Sequence, residues 1–113
     1  MNWRVLNSEG QLDLIREESK ESPILIFKHS TRCSISRTVL DRLERNWNMN
    51  EMDHVKTYFL DLISYRSISN GIADLFDVEH ESPQVLIIQN GKATLTKTHL
   101  AIDYASFRDA LKN

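Results

Sequence analysis

The chain has 113 residues and a mass of 13.2 kDa, enough for one hydrophobic core and too little for two. Hydrophobic residues make up 41% and charged residues 27%, with a formal net charge of −2 and a pI near 6.1, so no basic field argues for nucleic acid or an anionic membrane. The longest apolar stretches, "ILIF" and "VLII", are strand-sized and too short to cross a bilayer, and the opening "MNWRVLNSEG" lacks the basic start and apolar run of a secretion signal. The single cysteine, Cys33, makes no internal disulfide, so the fold needs no oxidising compartment and the cytoplasm is the expected location.

The chain reads as a single domain over 1–113, without repeats, low-complexity tracts or linkers. A short strand is expected near Trp3 to Val5. Ser8 with Gln11 forms a capping-box pattern that opens an amphipathic helix carrying Leu12 and Ile15, running to about Lys20. Pro23 closes the following loop, and "ILIFKH" predicts a strand buried on both faces. From Ser34, the residues Ile35, Val39, Leu40, Leu43 and Trp47 recur at helical spacing, with Arg37, Arg42, Glu44 and Arg45 facing out. "RLERNWNMNEMD" is expected to be a solvated helix end and its loop.

Val55 to Leu62 is the next strand, and Ser64 to Phe76 predicts a helix with Ile68, Ile72, Leu75 and Phe76 on one side. Val85 to Ile88 and Ala93 to Thr98 pair as a hairpin, with Asn90-Gly91 supplying the two positive-φ residues of a tight turn. Asp103 caps a last helix bearing Tyr104, Phe107 and Leu111. Parallel strands joined by helices and followed by an antiparallel hairpin give an α/β fold, a mixed sheet with helices on both faces. This order is similar to that of thioredoxin-like proteins.

Cys33 falls where the buried strand gives way to the next helix. The backbone N–H groups of a helix start lack helical partners, and with the helix dipole they favour a thiolate over a thiol. Arg32 reads equally as a surface charge or as an aid to that anion. Ser36, one turn on, reads equally as a solvated helix residue or as a donor to the sulfur. "CSIS" is C-x-x-S, the dithiol redox pattern with its second cysteine replaced. A mixed disulfide on Cys33 is therefore cleared only by an outside thiol. Ser82-Pro83 precedes the hairpin. In thioredoxin-like folds a proline at this place is cis, lies beside the reactive cysteine and exposes the preceding residue's backbone to substrate.

"FKHSTRCSIS", "RSISNGIADLF" and "HESPQVLIIQNGK" together resemble the monothiol bacilliredoxins, the YtxJ-like family, from about Trp3 to the end of the chain. The family pattern T-C-P-I-S stands here as Arg32-Cys33-Ser34-Ile35-Ser36, so Arg32 and Ser34 depart from it. Serine in place of proline at a first helical position is harmless, because proline there mainly presets φ. The resemblance implies a cytosolic monothiol oxidoreductase in which Cys33 removes bacillithiol from mixed disulfides on client proteins. Arg32, Ser34, Ile35, Ser36, Ser82 and Pro83 would then line the thiol-binding site. It implies bacillithiol as co-substrate, S-bacillithiolated proteins as partners, a small thiol or a reductase for regeneration, no bound prosthetic group, and a monomer.

Two rivals remain. One is a protein similar to the monothiol glutaredoxins that holds an iron–sulfur cluster through Cys33 and an external thiol at a dimer interface, although the glycine and aromatic that follow the cysteine in that family are missing. The other is a thioredoxin-fold interaction module without turnover. His29, His54, His80 and His99 show no ligand spacing, so no metal site is expected. His29, nearest the cysteine, is expected to pack at the strand end, and Trp3 and Trp47 at the core or its edge. Arg66 and Asn70 read as structural loop residues at least as readily as ligand contacts.

Overall fold

Strand pairing organises the molecule, and a computed structural model describes it over residues 1–111, leaving the last two positions of the 1–113 domain outside the described residues. The elements are β1 (Arg4–Val5), α1 (Gly10–Glu18), β2 (Ile24–His29), α2 (Ser34–Asn46), β3 (Lys56–Asp61), α3 (Arg66–Phe76), β4 (Gln84–Gln89), β5 (Lys92–Thr98) and α4 (Tyr104–Ala110), with one 3-10 turn at His99–Ala101. The sheet order is β1-β3-β2-β4-β5. β1 and β2 run parallel to β3, whereas β4 runs antiparallel to β2 and β5 antiparallel to β4. Antiparallel pairing thus begins one strand before the hairpin.

β2 lies at the centre and all six of its residues are buried. Alternate side chains feed two cores on opposite faces of the sheet. Ile24 and Ile26 join Leu12 and Ile15 of α1 and Ile68, Ile72 and Phe76 of α3. Leu25 and Phe27 join Val39 and Leu43 of α2 and Phe107 and Leu111 beside α4. Helices therefore cover both faces, which is why the central strand is an unbroken buried run rather than an alternating one. Among the described residues no helix is long and apolar enough to cross a membrane.

Local chemistry accounts for most boundaries. Asp103 caps α4 by accepting the Ser106 N–H at 2.8 Å. Asn90 and Gly91 have φ of 52° and 77°, the positive pair that a two-residue hairpin requires. That turn is docked on α1, because Asn90 N–H donates to Ser19 O at 2.9 Å and Gly91 N–H to Ser19 Oγ at 2.8 Å. A bulge between Ile87 and Ile88 in the pairing with β5 leaves Thr94 as the extra residue.

Several details differ from expectation. The capping box is only half formed: Gln11 Oε1 accepts from the N–H groups of Asn7 and Ser8, but no side chain caps the first turn of α1. Ile35 is exposed, and its place on the buried face of α2 is taken by Ser36. Arg42 is half-buried and donates from Nη2 to the carbonyls of Leu100 and Ile102. In "RLERNWNMNEMD", Met52 is buried and Trp47 sits edge-on to Tyr104 at 5.5 Å, so this loop closes one core rather than lying in solvent. α3 begins at Arg66 rather than at Ser64, whose hydroxyl donates to Asp61.

Candidate active site

Cys33 is placed where β2 ends. That strand's register with β3 stops at His29, and the chain turns through Ser30–Arg32 into α2. Cys33 is the N-cap, with φ −110° and ψ 118°. Its N–H donates to Ser30 O at 3.2 Å, and its carbonyl accepts the Arg37 N–H at 3.3 Å, the first bond of the helix. No side chain caps this helix. The N–H groups of Ser34, Ile35 and Ser36 are therefore the open donors of the first turn, next to a half-buried sulfur. Arg32, Ser34 and Ile35 are exposed around it.

Ser36 is neither solvated nor bonded to the sulfur. Its side chain is fully buried, Oγ accepts the Ser30 N–H at 3.1 Å, and Oγ lies 2.7 Å from His29 Nδ1. This network ties the end of β2 to the first turn of α2, fixing the loop that carries Cys33. His29 packs at the strand end as expected, tilted against Phe59 at 5.4 Å and Phe27 at 6.1 Å. Burial holds its imidazole below the ordinary histidine range, Arg37 adds to that, and Asp61 and Glu44 oppose it. A neutral ring accepts or donates at Nδ1 according to its tautomer.

The Ser82-Pro83 peptide is cis. β2 and β4 pair antiparallel as far as Lys28↔Gln84, so Pro83 leads β4 at the end of the sheet from which the Cys33 loop departs. Pro83 O accepts the His99 N–H at 3.1 Å, which brings the turn after β5 to the same end. Among the described residues, Ser82 Oγ is buried without a partner. The two motifs singled out from the sequence thus lie at the same end of one sheet.

A neighbouring group escaped the sequence reading. Lys28, fully buried in β2, points into the face covered by α1 and α3. Nζ donates to Ser69 O at 3.2 Å and to His80 Nδ1 at 3.4 Å, and Ser69 Oγ lies 3.3 Å from the same Nδ1. Burial pushes the lysine down to about 8. Gln84, its register partner, donates from Nε2 to Glu79 O at 3.0 Å, and its Oε1 has no partner among the described residues. A lysine inside an apolar run was the available signal.

The remaining candidates lie apart from this chemistry. His54 Nε2 donates to Leu111 O at 2.8 Å, and Arg66 and Asn70 are exposed on α3. Trp3 packs edge-on to Phe27 and Phe59, with Nε1 donating to Glu44 at 2.8 Å.

Solved structures share this architecture. A protein with a thioredoxin fold, described as a candidate oxidoreductase, has a TM-score of 0.79 and 31% identity, with 94% of this chain and 90% of that chain covered. Thioredoxin from Malassezia sympodialis has a TM-score of 0.75 at 16% identity, covering 97% of this chain and 88% of that one. Thioredoxin O2 from Arabidopsis thaliana has a TM-score of 0.73 at 20% identity, covering 98% and 95%. The last two are alike in fold alone.

The fold and a helix-start cysteine together define a thioredoxin-fold oxidoreductase with one sulfur where the dithiol enzymes have two. The family is narrower than the class. The family model for the monothiol bacilliredoxin BrxC matches residues 4–107, and the chain belongs to that family.

Proposed function

We propose that this bacilliredoxin removes bacillithiol from mixed disulfides on client proteins through Cys33, in the cytoplasm and without a bound prosthetic group. The observation that carries the reading is Cys33 at the side-chain-uncapped start of α2. In the first step the Cys33 thiolate attacks the bacillithiol sulfur of the mixed disulfide. A Cys33–bacillithiol S–S bond forms, the bond to the client breaks, and the client leaves as a thiolate that takes a proton from water. In the second step an outside thiol, free or presented by a reductase, attacks the Cys33 adduct, forms a disulfide with bacillithiol and releases the Cys33 thiolate.

The N–H groups of Ser34, Ile35 and Ser36 stabilise the thiolate before attack and again on its release, and Arg32 adds a screened positive charge. Ile35 offers an exposed apolar contact beside the sulfur. The backbone of Ser82, ahead of Pro83, pairs with the incoming substrate. Ser36 acts by holding the loop through His29 and Ser30.

Intact-mass measurement tests the reading. Wild-type protein incubated with a bacillithiolated client is expected to gain one adduct per chain while the client loses it. Cys33→Ala is expected to abolish the transfer, and Ser36→Ala to slow it. Stripping of clients by Cys33→Ala, or a wild type that never carries the adduct, would overturn the mechanism.

A further inference from the structure

The segment from Val78 to Pro83 joins α3 to β4 and ends in the residues given a docking role above. Its ends are tied to the fold. The Val78 N–H donates to Ala73 O at 3.1 Å, after Asp77 leaves the helix in the left-handed region at φ 53°, and Pro83 O accepts from His99. Between them, among the described residues, Glu79, His80, Glu81 and Ser82 make no backbone–backbone hydrogen bond. What holds this stretch comes from side chains of the sheet and of α3. Gln84 Nε2 binds Glu79 O, while Lys28 Nζ and Ser69 Oγ both reach His80 Nδ1. Lys28 and Gln84 are direct partners across β2 and β4, so both rise from one place on one face.

We propose that Lys28 and Gln84 are positioning residues that clamp the 79–82 segment and thereby hold Ser82 and Pro83 at the reactive end of the sheet. The functional half of the proposal rests on the reading that Ser82 docks the substrate. A buried ammonium among apolar side chains is costly, and a methionine fits the same space without charge. The lysine is explained by what its long stem reaches: a helix carbonyl on one side and the loop imidazole on the other. The clamp acts through the loop and not on the sulfur, because Lys28 faces α1 and α3 whereas α2, which bears Cys33, covers the other face of the sheet.

The clamp has an acid limit. His80 Nδ1 serves as acceptor only while unprotonated, and an imidazolium would face the Lys28 ammonium. Lys28 from β2, Arg66 from α3 and Glu81 from its own segment are the charged groups acting on it. Burial and the two cations hold His80 below the ordinary histidine range against Glu81, so the clamp persists at neutral pH and opens in acid.

Limited proteolysis and steady-state kinetics on the full chain test this. In Lys28→Met and in His80→Phe, cleavage after Glu79 and Glu81 by a glutamate-specific protease, followed by mass spectrometry, is expected to quicken by roughly tenfold, with cleavage elsewhere in the chain unchanged. With a cysteine peptide carrying bacillithiol in mixed disulfide as probe, KM is expected to rise several-fold with kcat little changed. Alkylation of Cys33 by iodoacetamide is expected to keep its wild-type rate. His80→Gln, whose amide oxygen is an acceptor at every pH, is expected to restore slow cleavage and to remove the rise of KM in acid expected of the wild type. His80 is exposed, so its variants decide the matter even where Lys28→Met folds poorly. Unchanged cleavage at 79–82 in both variants overturns the clamp, as does cleavage that quickens equally along the whole chain. An altered alkylation rate overturns it too, by showing that Lys28 acts on the sulfur. If the wild type fails to turn over the peptide, the docking reading falls, while the proteolysis data still decide the clamp.

Discussion

The two halves of β2 are both buried and otherwise unlike. Ile24 to Phe27 fill the two cores with nothing to hydrogen-bond but the backbone. Lys28 and His29, with Ser30 just past the strand, are buried too, yet each carries a polar group tied to another element: Lys28 to α3 and the loop before β4, and His29 and Ser30 to Ser36 of α2. Burial in the first half makes stability. In the second half, burial gives up stability to fix two loops, each ending in a residue assigned to the thiol chemistry.

The largest effect that should separate the halves is Phe27→Ala. Phe27 is fully buried and stacks on Phe59 at 6.4 Å, so its truncation is expected to cost about 3–5 kcal/mol by denaturant unfolding. The folded fraction should still alkylate at Cys33 at the wild-type rate. A loss below about 1 kcal/mol would break the contrast.

Lys28→Met should act in the opposite direction. Replacing a buried charge by an apolar side chain of similar volume is expected to be neutral or to stabilise by about 1–4 kcal/mol at pH 7. Ser69 O keeps its place in α3 and the exposed His80 turns to water, so no buried group is orphaned. The pH dependence carries the sign. With the lysine pushed down to about 8 in the fold, the unfolded chain binds the extra proton above that pH. Wild-type stability should therefore gain from about pH 8 toward the unfolded lysine value of about 10.4 relative to the variant, which lacks that gain. A variant less stable than wild type at pH 7 would place Lys28 with the stabilising half.

Ser36→Ala is the next in size. It leaves the Ser30 N–H and His29 Nδ1 buried without a partner, at a cost of about 1–3 kcal/mol in thermal or denaturant unfolding. His29, held low in the fold chiefly by burial, takes up its proton in the unfolded chain first. Its contribution is present above the unfolded histidine value near 6.5 and is lost as pH falls below that, down to the folded value.

Asp103→Ala, at an exposed cap remote from β2, is the small reference: about 1 kcal/mol lost at pH 7, with Asp103→Asn nearly neutral. The hydrogen bonds to Ser106 hold the Asp103 carboxyl below its usual range. That contribution is present above the unfolded carboxylate value and disappears as pH falls through the folded one.

The same division explains what the sequence disclosed. Apolar periodicity locates Ile24–Phe27, Ile68, Ile72 and Phe107 because burial of such residues is their only requirement. Asn90-Gly91 and Asp103 are legible because their function is local to a turn or a cap. Cys33 is legible as a helix-start residue by its place between strand and helix, and the cis bond of Ser82-Pro83 by its place before the hairpin in a thioredoxin-like order. The partners of Ser36 were not legible, since a serine at helical spacing gives no sign that a histidine one strand-end away will bury it. Ile35 was misplaced for the complementary reason: an apolar residue beside the cysteine was read as core. Lys28 was absorbed into an apolar run because its partners, Ser69, His80 and Gln84, come from distant stretches of chain that only the strand register brings together.

The bulge at Thr94 bears on how the molecule meets others of its kind. β5 closes the sheet order, so its outer row of backbone groups is a template on which another strand could grow. The bulge interrupts that row near its middle, twists the ribbon away from flatness, and sets it between Lys92 on one side and Lys97 on the other. Neither remaining piece offers a neighbour a long, level run. Strand addition along this flank is opposed, and the sulfur, just beyond the end of the central strand β2, is not on it.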